Sequence, residues 1–324
     1  MSSNKPKSSY NSMLLSTIVF IISIAVALLI GEGFVRAKNA SMKSYDIEMW
    51  KYAKELKQSS DNPILGHEHV PNSEAVLQSV SIRINKEGMR GENISSIKEG
   101  RRVLFIGSSI TLGWGVKEVD VLTSVIQDMA KQSGQQMEVL NAGIGNYNTV
   151  RYVELFLTKL AHLNPDDIVI QYFVNDAESL EAGGGNWFLR NSQLAVTLWI
   201  ALNRTFNSSG EKGLLQHYKK VYDHETAGYR EMQSSLRDLA DYAKKHDIRL
   251  HLAMTPDIHN LVDYPFTFIH HEIEKISNEL GIHYIDLLPV LSGYDGKSLW
   301  AMPGDPHPNA LGHKLMAESI YKQL

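Results

Sequence analysis

Two textures in the sequence predict an α/β protein, a three-layer α/β/α sandwich on a mostly parallel sheet, preceded by one N-terminal transmembrane helix. From residue 101 onward, short apolar runs alternate with amphipathic stretches, and near the N terminus lies one unbroken apolar run. Hydrophobic residues make up 43% and charged residues 21% of the 324, which excludes a disordered chain or a multi-span membrane protein and leaves one large globular domain with an appendage.

The appendage comes first. Residues 13–30 read MLLSTIVFIISIAVALLI, with Ser16, Thr17 and Ser23 the only polar interruptions. At 1.5 Å per residue they reach roughly 27 Å, close to the thickness of a bilayer's hydrocarbon. A cleaved signal peptide would need its small-residue site after the apolar run, yet Ala25-Val26-Ala27 sits inside it, so an uncleaved anchor over 13–31 is expected. Lys5 and Lys7 on one flank nearly balance Arg36, Lys38 and Lys43, offset by Glu32, on the other. The short tail, residues 1–12, is assigned to the inside, and the domain to the extracytoplasmic side, the periplasm in a Gram-negative host.

Residues 32–100 read as a stalk and lead-in, ending in an alternating run, Val80-Ser81-Ile82-Arg83-Ile84, expected to be an edge strand. The main domain is expected over 101–324. Its buried strands are predicted at 103–106, 139–140, 168–173, 250–254 and 283–285, each bounded by Gly, Asn, Asp or Pro. Helices with apolar residues at 3.6 spacing fall at 149–163 and 229–246, and a closing helix at 310–324. Strand alternating with helix gives parallel pairing, and chemistry then belongs in the loops leaving the strands' carboxyl ends. Residues 186–206, with Trp187, Leu194, Leu198 and Trp199, form an inserted segment readable as a helix covering the core, a lid, or a surface resting on the membrane. Four N-x-S/T sites occur, at Asn39, Asn93, Asn203 and Asn207.

Charge and composition narrow the chemistry. A net charge of −4 gives no basic footprint for nucleic acid. With no cysteine, thiolate nucleophiles, disulfides and cysteine-ligated metals are excluded. His67, His69, His270 and His271 have no companion ligand set and are expected at the surface. Four loops remain. The first strand runs through Gly107-Ser108-Ser109 into a helix start, where a serine either caps the helix or presents a nucleophile. The second exits into Gly143-Ile144-Gly145-Asn146, whose backbone N–H groups can face a ligand, with Thr149 as the alternative helix cap. The third exits into Asn175-Asp176, an oxyanion donor or an Asx turn. Near the C terminus, Asp305 and His307 stand two apart, so in extended backbone both project to one side and the carboxylate can orient the imidazole.

In this order FIGSSIT, NAGIGNYNT, FVND and DPHPNALGH resemble the four sequence blocks of the SGNH/GDSL hydrolase superfamily, over about residues 101–324. IRINKEGMRGE, residues 82–92, is similar to a lead-in of membrane-anchored bacterial members. The resemblance implies a flavodoxin-like sandwich and an esterase or acyltransferase working through Ser109 as nucleophile, His307 as base and Asp305 as its orienter. It implies an oxyanion hole from the Ser109 N–H, the N–H near Asn146 and the Asn175 side chain, with Gly145, Trp114 and Tyr147 lining the substrate. Departures are Ser108 for the usual Asp, Asn146 for a Gly, Phe173 for a Gly, and the two-residue Asp–His spacing, which also occurs in envelope acyl-transfer members.

The implied function is ester hydrolysis on acyl, above all acetyl, groups of envelope or exported glycans, without metal or cofactor. Alternatives are an O-acyltransferase served by a membrane-bound acyl donor protein, a lipase or thioesterase, and a silent glycan-binding subunit.

Overall fold

The structure, a computed structural model, describes residues 7–41, 44–95, 97–180, 189, 191–206 and 211–324. It divides into two compact units, one of residues 1–50 and 184–208, the other of 51–183 and 209–324.

In the first unit, helix Lys7–Ser41 carries the apolar run, and Ser12–Ala40 is long and apolar enough to cross a membrane. Two of its three polar interruptions are satisfied locally, because the Thr17 hydroxyl donates to the Met13 carbonyl and the Ser23 hydroxyl to that of Val19. A second apolar helix spans Gln193–Phe206. Of the predicted 186–206 segment, residues 186–188, Trp187 among them, and 190 lie outside the described residues, as does Asn207.

The second unit begins with two antiparallel pairs and then becomes α/β. Strands β1 (Lys57–Ser59) and β2 (His67–His69) pair, as do β3 (Ser73–Leu77) and β4 (Val80–Ile84). The sandwich follows with β5 (Arg101–Gly107), β6 (Met137–Gly143), β7 (Asp167–Phe173), β8 (Arg249–Thr255) and β9 (His283–Asp286). These five form a parallel sheet in the order β6-β5-β7-β8-β9. A short antiparallel pair, β10 (Trp300–Met302) and β11 (Asp305–Pro308), precedes the last helix, Ala310–Tyr321.

Alternation along the central strands makes the three layers. On β5, Leu104 and Ile106 face a core shared with Ile168, Ile170, Leu252 and helices 149–155, 227–245 and 267–280. Val103 and Phe105 face the opposite core, with Val169, Ala253 and helices 122–132 and 310–321. Burial on both faces is why these strands read as continuous apolar runs. Each predicted strand of this sheet is present and is longer than predicted, 139–140 most of all, which runs Met137–Gly143.

Several expectations change. The stretch read as stalk and lead-in folds into the second unit from Lys51 onward. Val80–Ile84 is one arm of a hairpin, not an edge strand of the main sheet; Arg90 bridges Ile84 and Asn141 and so links the hairpin to β6. The predicted helix 149–163 is α-helical over Thr149–Leu155, then widens to π geometry over Phe156–Leu160 and ends in a 3₁₀ turn, Ala161–Leu163. His69 and His270 are buried, because each ring finds partners at both nitrogens: Tyr52 Oη and the Gly88 carbonyl for His69, Tyr264 Oη and Asp286 for His270. His67 is half-buried and His271 exposed.

Candidate active site

Sheet order brings the candidate loops together. β5 lies between β6 and β7, with Gly107 in register with Gly143 on one side and Gln171 on the other. Ser109, Asn146 and Asn175 follow these strands within a few residues, so all three leave from one edge of the sheet. Gly143 permits the close approach at this edge: a Cβ there would stand 2.2 Å from the Leu112 nitrogen.

The Ser109 alternatives resolve by position. Ser108 is the N-cap of the helix Ser109–Leu112 and makes no side-chain cap bond, while Ser109 is the first helical residue. Its N–H is thus an orphan donor of the helix start. Its Oγ lies 2.8 Å from His307 Nε2, across 198 residues of sequence. His307 Nδ1 is 2.5 Å from Asp305 Oδ1. A carboxylate only accepts, so Nδ1 carries the proton and Nε2 is left to accept from the serine hydroxyl. The two-residue spacing works because β11 is extended and the same Asp305 oxygen also accepts the His307 backbone N–H at 3.2 Å. The closing helix starts past Pro308, with Asn309 as its cap accepting from Gly312 N–H.

Asp305 is fully buried, and its second oxygen is held too. Oδ2 accepts from Gln78 Nε2 at 2.6 Å and from Trp114 Nε1 at 3.1 Å. Burial pushes this carboxyl up, but the bonds from His307 and Gln78 outweigh it and hold it below its ordinary value. Gln78 comes from the β3–β4 hairpin tip, where Gln78 and Ser79 have φ of 51° and 66°. Two residues at positive φ make the tight turn that usually takes Asn-Gly. Two side chains in that region cost about 1–2 kcal/mol each. The strained tip aims Gln78 at Asp305.

The second loop is clamped from behind. Gly145 N–H donates to Tyr52 Oη at 3.0 Å, and the Gly145 carbonyl accepts from Lys57 Nζ at 2.6 Å and contacts His67 Nε2 at 3.1 Å. Burial, and then the charge of Arg151, lower the Lys57 pKa to about 7. Gly145 therefore has no N–H to offer a ligand. Asn146 adopts φ 65° and is exposed, and its N–H donates to no group among the described residues. Trp114, 1% exposed, and Tyr147, whose hydroxyl donates to the His67 carbonyl, are buried. They support the site from inside instead of lining the substrate.

The third loop presents Asn175 to solvent. Its neighbour Asp176 makes the turn: Oδ2 accepts from Phe173 N–H at 3.1 Å and Tyr152 Oη at 3.2 Å, and burial raises its pKa well above the ordinary value. Thr149 is not the cap of the preceding helix; Asn148 is, accepting from Arg151 N–H. Arg90 completes the scaffold by donating to the carbonyls of Leu112, Gly113 and Val116 just past the Ser109 helix.

A nucleophile, an oriented base and a rim of N–H donors can carry acyl transfer. The sequence profile of the GDSL-like lipase/acylhydrolase family matches residues 105–315, more than half of the chain. The chain belongs to that family. It is an ester-bond hydrolase, and the family's matched stretch contains Ser109, Asn146, Asn175, Asp305 and His307. No curated protein sequence matches the chain. Among solved structures, the acetyl xylan esterase AlAXEase is similar at 19% identity, over 69% of this chain and 99% of that one, with a TM-score of 0.43. An acetylxylan esterase from Geobacillus stearothermophilus aligns at 16% identity over 70% and 95%, TM-score 0.46. TesA aligns at 14% over 69% and 98%, TM-score 0.44.

The chemical residues were legible as loops after strands. Gln78, Tyr52, Lys57, Arg90 and Asp176 were not identified from sequence. Only Arg90, inside IRINKEGMRGE, and Asp176, inside FVND, lay in a recognisable motif.

Proposed function

We propose that the chain is a membrane-anchored serine esterase with Ser109 as nucleophile, His307 as general base and Asp305 as its orienter, acting on small acyl esters, acetyl first, of exported glycans. The observation that carries this reading is the 2.8 Å separation of Ser109 Oγ and His307 Nε2, with Asp305 on the far ring nitrogen. His307 takes the Ser109 proton as Oγ attacks the ester carbonyl carbon. The oxyanion meets the N–H groups of Ser109 and Asn146 and the Asn175 side-chain amide. Protonated His307 then gives its proton to the departing alcohol, and water, activated by the same base, releases the acid from Ser109.

Substrate class rests on exposure and location. Ser109 is only half-buried, and both Asn146 and Asn175 are exposed, an open site suited to a short acyl group on a bulky carrier. The apolar helix Ser12–Ala40 supports the reading of an uncleaved anchor over 13–31, and with the domain assigned to the exported side the substrate belongs to the cell envelope. The test is acetate release from an O-acetylated oligosaccharide by the full chain in detergent. Wild type should release it into water and Ser109→Ala should not. Turnover that is negligible in water and restored by a sugar acceptor makes the protein a transferase, and equal turnover by Ser109→Ala overturns the mechanism.

A further inference from the structure

We propose that helix Gln193–Phe206 is a second membrane contact, seating Leu198, Trp199 and Leu202 in the lipid at the boundary of headgroups and acyl chains, next to the anchor. The inference rests on the reading of helix Lys7–Ser41 as an uncleaved anchor, and the test separates the two.

The first observation is an apolar face left in the open. Residues 194–202 read LAVTLWIAL with no charge, and the single polar member, Thr197, returns its hydroxyl to the Gln193 carbonyl at 2.7 Å. Leu198, Trp199 and Leu202 are 55%, 52% and 60% exposed, while Val196 is buried. Spacings of one, three and four put the exposed three on one side of the helix. A contiguous patch of large apolar side chains, one of them tryptophan, is what an interfacial helix presents to lipid.

The second observation fixes what covers it. The helix begins at the point where the anchor leaves its apolar run. Glu32, two residues past Ile30, accepts the N–H groups of Gln193 at 3.0 Å and Leu194 at 2.9 Å and the Ser192 hydroxyl at 2.8 Å. Its charge is met by Arg36 at 2.6 Å. Gly31 lets the two backbones approach, since a Cβ there would stand 3.2 Å from Leu194 Cδ2. A hydrocarbon boundary demands that helix-start donors be satisfied, and the Glu32 carboxylate satisfies two of them.

Direction completes the argument. The Leu189 carbonyl accepts from Trp50, the Asn191 carbonyl from Arg36, the Gln193 side chain from Asn39, and residues 192–194 bond Glu32. On the anchor itself, Asn191 and the Gln193 side chain meet Arg36 and Asn39, while Leu194 meets Glu32 and Gly31, so the chain enters this helix heading back toward the apolar end of the anchor. Leu198 and Leu202 lie about 6 and 12 Å further along the helix axis from Leu194. The exposed face is carried toward hydrocarbon, alongside Leu28, Leu29 and Ile30, which are exposed on the anchor itself.

The chain has no cysteine, so single-cysteine variants give one label each. Full-length Ile22→Cys, Leu198→Cys, Leu202→Cys and Val262→Cys, the last exposed in the second unit, carry a nitroxide in phosphatidylcholine–phosphatidylglycerol vesicles. Collision with dissolved oxygen reports lipid, and collision with a water-soluble nickel chelate reports water. Sites 22, 198 and 202 should favour oxygen severalfold, and site 262 the chelate. Site 22 in lipid with 198 and 202 in water overturns this inference and leaves the anchor standing. Sites 198 and 202 shielded from both colliders means that protein, not lipid, covers the face, and also overturns it. Site 22 in water removes the anchor reading, and this inference with it.

Discussion

The stretch matched by the family, residues 105–315, and the lead-in before it, residues 51–92, contribute to one site in different ways. The matched stretch carries the groups proposed to touch substrate, Ser109, Asn146, Asn175 and His307, with Asp305 bonded to the far nitrogen of His307. The lead-in carries groups that would touch none, yet Gln78 holds Asp305, Tyr52 and Lys57 hold Gly145, and Arg90 holds the end of the Ser109 helix. The comparison teaches that reacting atoms and the atoms that aim them can be separated along a chain. Substitutions in the two regions should therefore fail in different ways.

The largest effect is expected in the matched stretch. Asn175→Ala removes one oxyanion donor at an exposed position, and kcat should fall about 100- to 1,000-fold with the thermal midpoint unchanged. Retained kcat in the folded variant would remove Asn175 from the site. Next comes the hairpin tip. Gln78→Leu leaves Asp305 Oδ2 with Trp114 alone, and kcat should drop about tenfold at constant KM, the scale of one hydrogen bond to a charged group. Ser79→Gly relieves a left-handed side chain without touching that bond, so stability should rise by about 1 kcal/mol with activity unaltered. Equal activity losses in both variants would make the tip a folding element only.

A smaller effect is expected at the clamp. Lys57→Met takes one donor from the Gly145 carbonyl and leaves His67, and kcat should fall about threefold to tenfold, the range of a single net hydrogen bond. An unchanged kcat would separate the clamp from catalysis.

The last effect is on stability, not on turnover, and sharpens the boundary between the regions. Burial lowers the pKa of His67 and His69, in the lead-in, and of His313, in the matched stretch, from 6.5 to about 3 each. Between pH 6.5 and 3 these three groups bind protons in the unfolded chain that they refuse in the folded one. The contribution is whole above pH 6.5 and is lost as pH falls toward 3, with a slope of about 4 kcal/mol per pH unit. Urea midpoints at pH 7, 6 and 5 measure it, and His69→Gln should remove about a third of the slope. Were the lead-in a loose stalk, His69 would titrate near its ordinary value and that variant would change nothing.

Much of the sandwich was legible because burial on both faces writes an apolar run into each strand, as in 103–106 and 168–173. The candidate site was legible because a parallel sheet sends its chemistry to one edge, which put Ser109, Asn146 and Asn175 in successive loops. The supporting groups were illegible for a physical reason. Gln78 meets Asp305 across 227 residues, and nothing local marks a glutamine at a hairpin tip as a partner for a carboxylate. The lead-in was read as a stalk because its strands are short and its helix brief, and its burial comes from tertiary contacts that periodicity does not record. His69 and His270 misled in the same way, since a histidine satisfied at both nitrogens looks in sequence like any surface histidine.

The account depends most on a reactive Ser109 driven by His307. The direct measurement is to treat the folded full-length chain with a fluorophosphonate and locate the adduct by peptide mass. The account predicts a single adduct, on Ser109, absent from Ser109→Ala and formed far more slowly in His307→Ala. An adduct on another residue, or none on the folded wild type, would contradict it.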